Sequence, residues 1–411
     1  MNHRHIIASI VVALLVFGCD KQVRQPGMLE REKLFSLDIG RLENQIALYN
    51  IDRSQGRQLV NIAIRDGLFY VSDTNGAKVL RFNSFGDILY MIYNNETNPE
   101  PVTLLPLVEG NIVTRGAVQY PLLEPGKITV DSRRHLFVQD RLPADRHSVD
   151  TESKSILDNV VLHFDADGRF VKYLGREGIG GSPFPRIEGL YTTSSDDLVV
   201  VSRLPSGWNI YWFDSDGFYL FVVHLRNDAV PLPSGYETLI PSLDGVFAGP
   251  KNNSLYFKVD YYQNITDESG STRTGIEVVR SLLWIMSAED GVLERYVELP
   301  LFDRNPSTLR EGASQRPYSL LGITGSESQW AILYFPSDTD GGYVLNAVPL
   351  DPAARRQRHG FIELPAHDIQ FSVFNLSADT ILAGLLAKEW HVELVWWRID
   401  HFLEAEAHGG N

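Results

Sequence analysis

The chain is poor in cysteine: Cys19 is the one thiol in 411 residues. No internal disulfide can form, which excludes a small disulfide-held scaffold. Positive charge is also scarce. Lys and Arg number 37 against 52 Asp and Glu, giving a net charge of −15. Phosphate backbones are recognised by Lys/Arg-rich surfaces, so nucleic acid is not an expected partner. Electrostatic docking on anionic lipid is disfavoured on the same ground. Helical periodicity is nearly absent beyond Glu30, so no bundle is expected. Apolar residues make up 44% of the chain and charged residues 22%. That balance lets a large core hold the fold without covalent help.

The one long apolar run lies at the start. His3, Arg4 and His5 precede 12 apolar or small residues, Ile6 to Phe17. A membrane-spanning helix needs about 20, whereas a signal-peptide core is of this size. Gly18 and Cys19 follow, and the composition then turns polar through Asp20, Lys21, Gln22, Arg24, Gln25, Pro26 and Gly27. The sequence Val16-Phe17-Gly18-Cys19 resembles the lipobox of bacterial lipoprotein precursors, in the relaxed form of spirochaete lipoproteins. The resemblance implies that residues 1–18 are removed and that Cys19 carries the lipid. Two or three acyl chains at about 0.8 kcal/mol per buried methylene suffice for stable anchoring. Residues 19–32 then read as a flexible tether. The expected place is the extracytoplasmic side of a bacterial membrane in the cell envelope. Asp20 resembles an inner-membrane retention signal of enteric bacteria.

Beyond the tether, short alternating runs rich in Val, Ile, Phe, Tyr and Trp are broken by Gly, Asp, Asn and Pro. That pattern is all-β, and it repeats. Units begin at "GLFYVSDTNG", "HLFVQD", "DLVVVSRLP", "SLYFKVD", "QWAILYFP" and "TILAGLLAKEW". Their first strands end at Asp73, Asp140, Arg203, Asp260, Phe335 and about Leu385. Six such units predict a six-bladed β-propeller of four-stranded blades spanning 33–404, with 405–411 as a disordered tail. "LFYVSDTNGAKVLRFNSFGDIL" and "YLGREGIGGSPFPRIEGLYTT" are similar to the strand and inter-blade patterns of the NHL-repeat propeller family. In the second, Gly175, Gly178 and Gly180 allow tight turns. "EKLFSLDIG", 32–40, has strand character and no other home. It is predicted to pair with the last blade and close the ring, leaving no free edge.

Chemistry is thinly marked. "DADG" (Asp165, Asp167) and "DSDG" (Asp214, Asp216) suggest calcium, but the EF-hand's twelfth-position Glu is replaced by Arg176 and Leu225,. Asp and Gly there suit hairpin turns. No HExxH pair occurs, and His163, His224, His391 and His401 fall at no recurring strand position. With Cys19 acylated no thiol nucleophile remains, and no GxSxG elbow is present. Gly175 to Gly181 lacks the following helix of a phosphate loop. No metal or other cofactor and no catalytic set is therefore expected. The aligned strand ends Asp73, Asp140, Arg203 and Asp260 are candidates for ligand or partner contacts at one mouth of a central channel. Trp208, Tyr211, Trp212, Phe213, Phe218, Tyr219 and Phe221, with Trp390, Trp396 and Trp397, read mainly as core, any exposed remainder as an interaction patch. The polar insertions 141–158 and 262–280 read as loops available for recognition. The leading expectation is a lipid-anchored scaffold that binds another protein. The alternatives are a metal-assisted hydrolase, a lyase-like enzyme or a small-ligand binder using the channel, with Asp73, Asp140 and Asp260 as its acids. A third is a subunit of an envelope-assembly machine.

Overall fold

The computed structural model describes residues 27–48, 60–107, 114–251, 253–267, 272–303, 315–326, 328–337, 341–351, 353, 356–364 and 367–404. Cys19, the signal-peptide reading and the predicted tail lie outside the described residues.

Among the described residues, six sheets contain four or more strands. Each starts from one inner strand: Val60–Arg65, Ile128–Val130, Ile187–Thr192, Ile240–Ala248, Ser319–Ile323 and Phe371–Leu376. These inner strands touch in a closed circuit, each meeting the next and the last meeting the first. From each, three further strands pair antiparallel outward. β-branched and aromatic residues supply these strands because their bulk packs well on a pleated surface. The expectation of uniform four-stranded sheets needs correction. Three sheets have four strands, two have five and one has six. The additions arise where a connection turns back and pairs along an otherwise free outer edge, as Gly116–Gln119 does beside Ile88–Tyr93.

The core is divided among the gaps between neighbouring sheets. One cluster joins Phe69, Val71 and Leu80 of the first sheet to Leu385 and Leu394 of the last. Another joins Val199, Ile210 and Trp212 to Phe257, Leu282 and Trp284. Four more fill the remaining gaps. Each fully buried Val, Leu or Phe contributes about 1.5–3 kcal/mol. No sheet buries both its faces alone; each depends on its neighbours.

Closure uses the N-terminal strand. Glu32–Ile39 pairs antiparallel with His391–Arg398 and forms an outer strand of the last sheet. Lys33 Nζ lies 2.8 Å from Glu393 Oε1, which Lys388 also reaches at 3.1 Å. Within the stretch read as tether, Met28 bridges Phe361 in parallel and Leu29 is buried. A short helix, Ile399–Glu404, follows the last strand.

Antiparallel order fixes where the connections emerge. Links from first to second and from third to fourth strands leave one face. Most are short, as at 66–67, 83–87, 165–169, 214–218 and 288–292, with a longer one at 350–357. Links from second to third strands, and from one sheet to the next, leave the other face. These include 94–127, 142–158, 227–239 and the arm beyond Tyr262. The molecule thus has a short-turn face and a long-connection face.

Candidate functional site

The circuit of inner strands encloses a cavity of about 420 Å3, lined by all six. Three consecutive inner strands share a device. Their registers shift between Ile187 and Gly189, Leu243 and Gly245, and Leu320 and Gly322. Each bulge adds one residue, and the additions Glu188, Asp244 and Leu321 line the cavity,. Glycine next to two of them lets an aromatic ring approach the backbone closely. A Cβ on Gly189 would lie 2.6 Å from the Tyr191 ring, and one on Gly245 3.0 Å from the Phe247 ring. The signal was present as "IEGLY", "LDGVF" and "LLGI". Reading the repeat from the second strand of each sheet passed over it.

Charge gathers on one side of this cavity. Arg186 Nε lies 2.8 Å from Glu188 Oε1. Burial pushes the Lys127 ammonium down from its ordinary range, and the Glu188 charge opposes that shift,. Asp244 Oδ2 is 3.1 Å from Lys258 Nζ, which also holds Asp260 at 2.7 Å. Lys127, Glu188 and Asp244 can therefore meet a small polar molecule bearing both donors and acceptors. Among the described residues no three His, Cys, Asp or Glu side chains converge as a metal ion requires,.

The four aligned strand ends lie toward the long-connection face, as aligned, but none lines the cavity. The aligned repeat starts on the second strand of each sheet, one strand off the axis. Asp73 is fully buried. It accepts from the Ala47 N–H at 2.7 Å and the Gly76 N–H at 2.9 Å, while Lys78 Nζ donates to the Leu42 carbonyl at 2.8 Å. Burial raises Asp73 and lowers Lys78 to about 8, so desolvation outweighs the pair's attraction,. Asp140 accepts from the N–H groups of Leu123 and Glu124, and burial raises it to about 6. In both sheets the carboxylate fastens the chain segment arriving from the preceding sheet. Asp260 takes Lys258 and the Ser281 hydroxyl. Its burial raises it, against the Lys258 charge. Arg203 is exposed and lies over the Trp208 ring at 5.2 Å. Three of the four are thus internal fasteners, and only Arg203 is open to a partner.

The Asp-rich turns are hairpin turns. Asp165 Oδ1 accepts from the N–H of Asp167 and Arg169, and Asp214 Oδ1 from those of Asp216 and Phe218. Gly168 and Gly217 take φ of +87° and +77°, a region open to glycine. No described histidine lines the cavity. His163 is buried with neither ring nitrogen partnered, stacked on Phe137 at 4.6 Å and 5.0 Å from the His135 ring. Trp208, Tyr211, Trp212, Phe213 and Trp397 are core, whereas Phe218, Tyr219 and Trp390 are exposed.

The insertions read as loops carry regular structure. Ser148–Asp150 pairs with Ser155–Leu157. Ser254–Thr266 pairs with Arg273–Ser287 along its whole length, extending the sheet into an arm. Solvent bathes much of both, so no alternating apolar face marked them as strands. Their exposed apolar residues Val149, Ile156, Ile265 and Ile276, together with Trp390, sit on the long-connection side.

A closed circuit of antiparallel sheets packed face to face about a central cavity defines a β-propeller. No family model matches the chain, and no curated protein matches it by sequence. Solved structures similar to it include the α-L-arabinanase of Penicillium chrysogenum complexed with arabinobiose, at 13% identity and TM-score 0.44, covering 91% of this chain and 99% of that one. The GH93 α-L-arabinofuranosidase of Fusarium graminearum is 11% identical with TM-score 0.44, covering 91% and 99%. The WD40 domain of Toxoplasma gondii coronin is 8% identical with TM-score 0.40, covering 91% and 87%. Likenesses this distant say nothing about activity.

Proposed function

We propose that this protein is a lipid-anchored, extracytoplasmic scaffold of six blades, one per sheet, that binds a protein partner through its long-connection face. One observation carries the recognition half: the long connections, with both β-hairpin insertions, emerge on the same face. Loops held by a rigid scaffold are where recognition surfaces are built. The Val16-Phe17-Gly18-Cys19 sequence supports the anchor, and attachment explains a solitary thiol,. Photo-crosslinking groups placed at Val149, Ile276 and Trp390 should each give one discrete protein adduct in intact membranes, and a group at Phe85 on the short-turn face no protein adduct. Adducts independent of face would overturn the scaffold reading. Cys19→Ser should move the protein from the detergent phase to the aqueous phase.

A second reading rests on the charged wall formed by Lys127, Glu188 and Asp244. Under it the cavity takes a small polar ligand. Its metal-assisted version finds no ligand set among the described residues. A stoichiometric metal in the purified protein, or a large rise in melting temperature on adding calcium or zinc, would favour that version over the scaffold.

A further inference from the structure

The following inference rests on the proposed anchor at Cys19. Gly27 to Leu29 lie along the outer strand Arg358–Glu363. The Phe361 N–H donates to the Gly27 carbonyl at 2.9 Å, and the Leu29 N–H donates to the Phe361 carbonyl at 3.0 Å. The pairing is parallel, so both segments run the same way. Arg358–Glu363 is the fourth strand of its sheet and begins at the short-turn face. The chain therefore reaches Leu29 from the short-turn side. Between Cys19 and Gly27 there are only eight residue steps, a reach of at most about 28 Å at 3.5 Å each. The short-turn face lies a few residues from Gly27. To bring the lipid to the opposite face, the chain must reverse, run the height of the strand and clear the long connections.

The short-turn face is also suited to a bilayer surface. Three of its turns each carry one large exposed apolar side chain: Phe85 at 84%, Phe218 at 60% and Val292 at 55%. One acid in each of these turns is already engaged, while Asp216 is exposed. Asp87 takes the Asn83 amide, Asp214 takes the N–H of Asp216 and Phe218, and Asp290 takes the Val292 N–H. A contact of this kind depends on apolar burial and not on basic residues, in keeping with the net charge of −15,. We infer that the propeller faces the bilayer with its short-turn side, holding Phe85, Phe218 and Val292 at the headgroup layer. The long-connection face then points away from the membrane.

With Cys19 acylated the chain has no other thiol, so Phe85→Cys and Trp390→Cys each accept one maleimide dye. Both sites are exposed turn positions on opposite faces. The labelled full-length proteins are reconstituted in phosphatidylcholine vesicles containing a trace of lipid-linked acceptor dye. Faces separated by a strand of six residues stand about 20 Å apart, so energy transfer from position 85 should be about twofold or more that from position 390. Equal transfer, or stronger transfer from position 390, overturns the orientation. The parent protein, isolated from membranes, should take up no maleimide. Labelling of Cys19 there overturns the anchor, and the orientation falls with it.

Discussion

One ionic cluster lies across the ring closure, and its strength can be worked out. Glu393 sits on the last strand of the ring, 7% exposed, with Lys33 of the closing strand at 2.8 Å and Lys388 at 3.1 Å. Burial alone would raise its carboxyl. The two ammonium groups overcome that and hold it at about 2, against an ordinary 4.5. A displacement of that size corresponds to about 3 kcal/mol. Lys33 is half exposed, and solvent screening reduces the expected contribution to about 1–2 kcal/mol. Because the folded-state carboxyl is the stronger acid, this stability is complete above pH 4.5 and is lost as the pH falls toward 2. Glu393→Gln keeps the shape and one acceptor but removes the charge. In urea unfolding at pH 7 the variant should lose about 1–2 kcal/mol relative to the parent. At pH 3 the difference should shrink to less than half, because the unfolded chain's carboxyl, ordinarily near 4.5, is then protonated while the folded one is still largely ionised,. A variant as stable as the parent at pH 7, or a deficit unchanged at pH 3, would refute the reasoning.

Other outcomes follow from single contacts. Gly175→Ala should destabilise by about 2–3 kcal/mol, because the new Cβ would meet the backbone of Gly181 and Ser182 at 2.3–2.4 Å and backbone cannot rotate aside,. Gly180→Ala, with nothing nearer than 3.8 Å, pays only for its φ of +70° and should cost about 1 kcal/mol in the same urea titration,. His163 is held near 4 by burial, with His135 and other cations adding to the effect. The parent should therefore lose stability as pH falls from about 6.5 to about 4, while the unfolded chain takes up the proton. His163→Phe should flatten that segment of the pH–melting curve, and an unchanged slope would count against it. Asp140→Ala leaves the Leu123 and Glu124 N–H groups unpaired and should destabilise by about 2 kcal/mol, whereas Asp140→Asn, relieved of a buried charge, should cost far less.

The architecture was legible because each strand pays its own way in pattern. Buried strands such as Leu68–Asp73 and Leu198–Leu204 present apolar residues that only a sheet covered on both faces can use,. Glu32–Ile39 alternates as an outer strand must, one face inward and one face wet. The hairpin turns announced themselves through Asp and Gly. Where both faces of a strand meet solvent, as in the arm beyond Tyr262, the alternation vanishes and so did the prediction. A carboxylate ending a strand looks the same in sequence whether it faces water or takes backbone N–H groups, as Asp73 does from Ala47 and Gly76 and Asp140 from Leu123 and Glu124.

The cavity wall escaped notice for a related reason. A bulge changes pairing by one residue and leaves composition untouched, so Glu188 and Asp244 read as ordinary polar positions in alternating strands. Only their shared context, an acid before a glycine lying beneath an aromatic two residues on, sets them apart. That context has a physical basis: the glycine lets the ring lie across the backbone, and the backbone then turns the acid toward the axis. Gly189→Ala tests this chain of cause. The added methyl would displace the Tyr191 ring at 2.6 Å, costing about 1–3 kcal/mol and shifting Glu188 relative to Lys127. If the bulge orients the acid, Gly189→Ala should remove the opposing Glu188 charge and push the Lys127 ammonium further below its ordinary range, measurable by NMR titration of the labelled lysine. A destabilised variant whose Lys127 titrates unchanged would separate the bulge from the electrostatics of the wall.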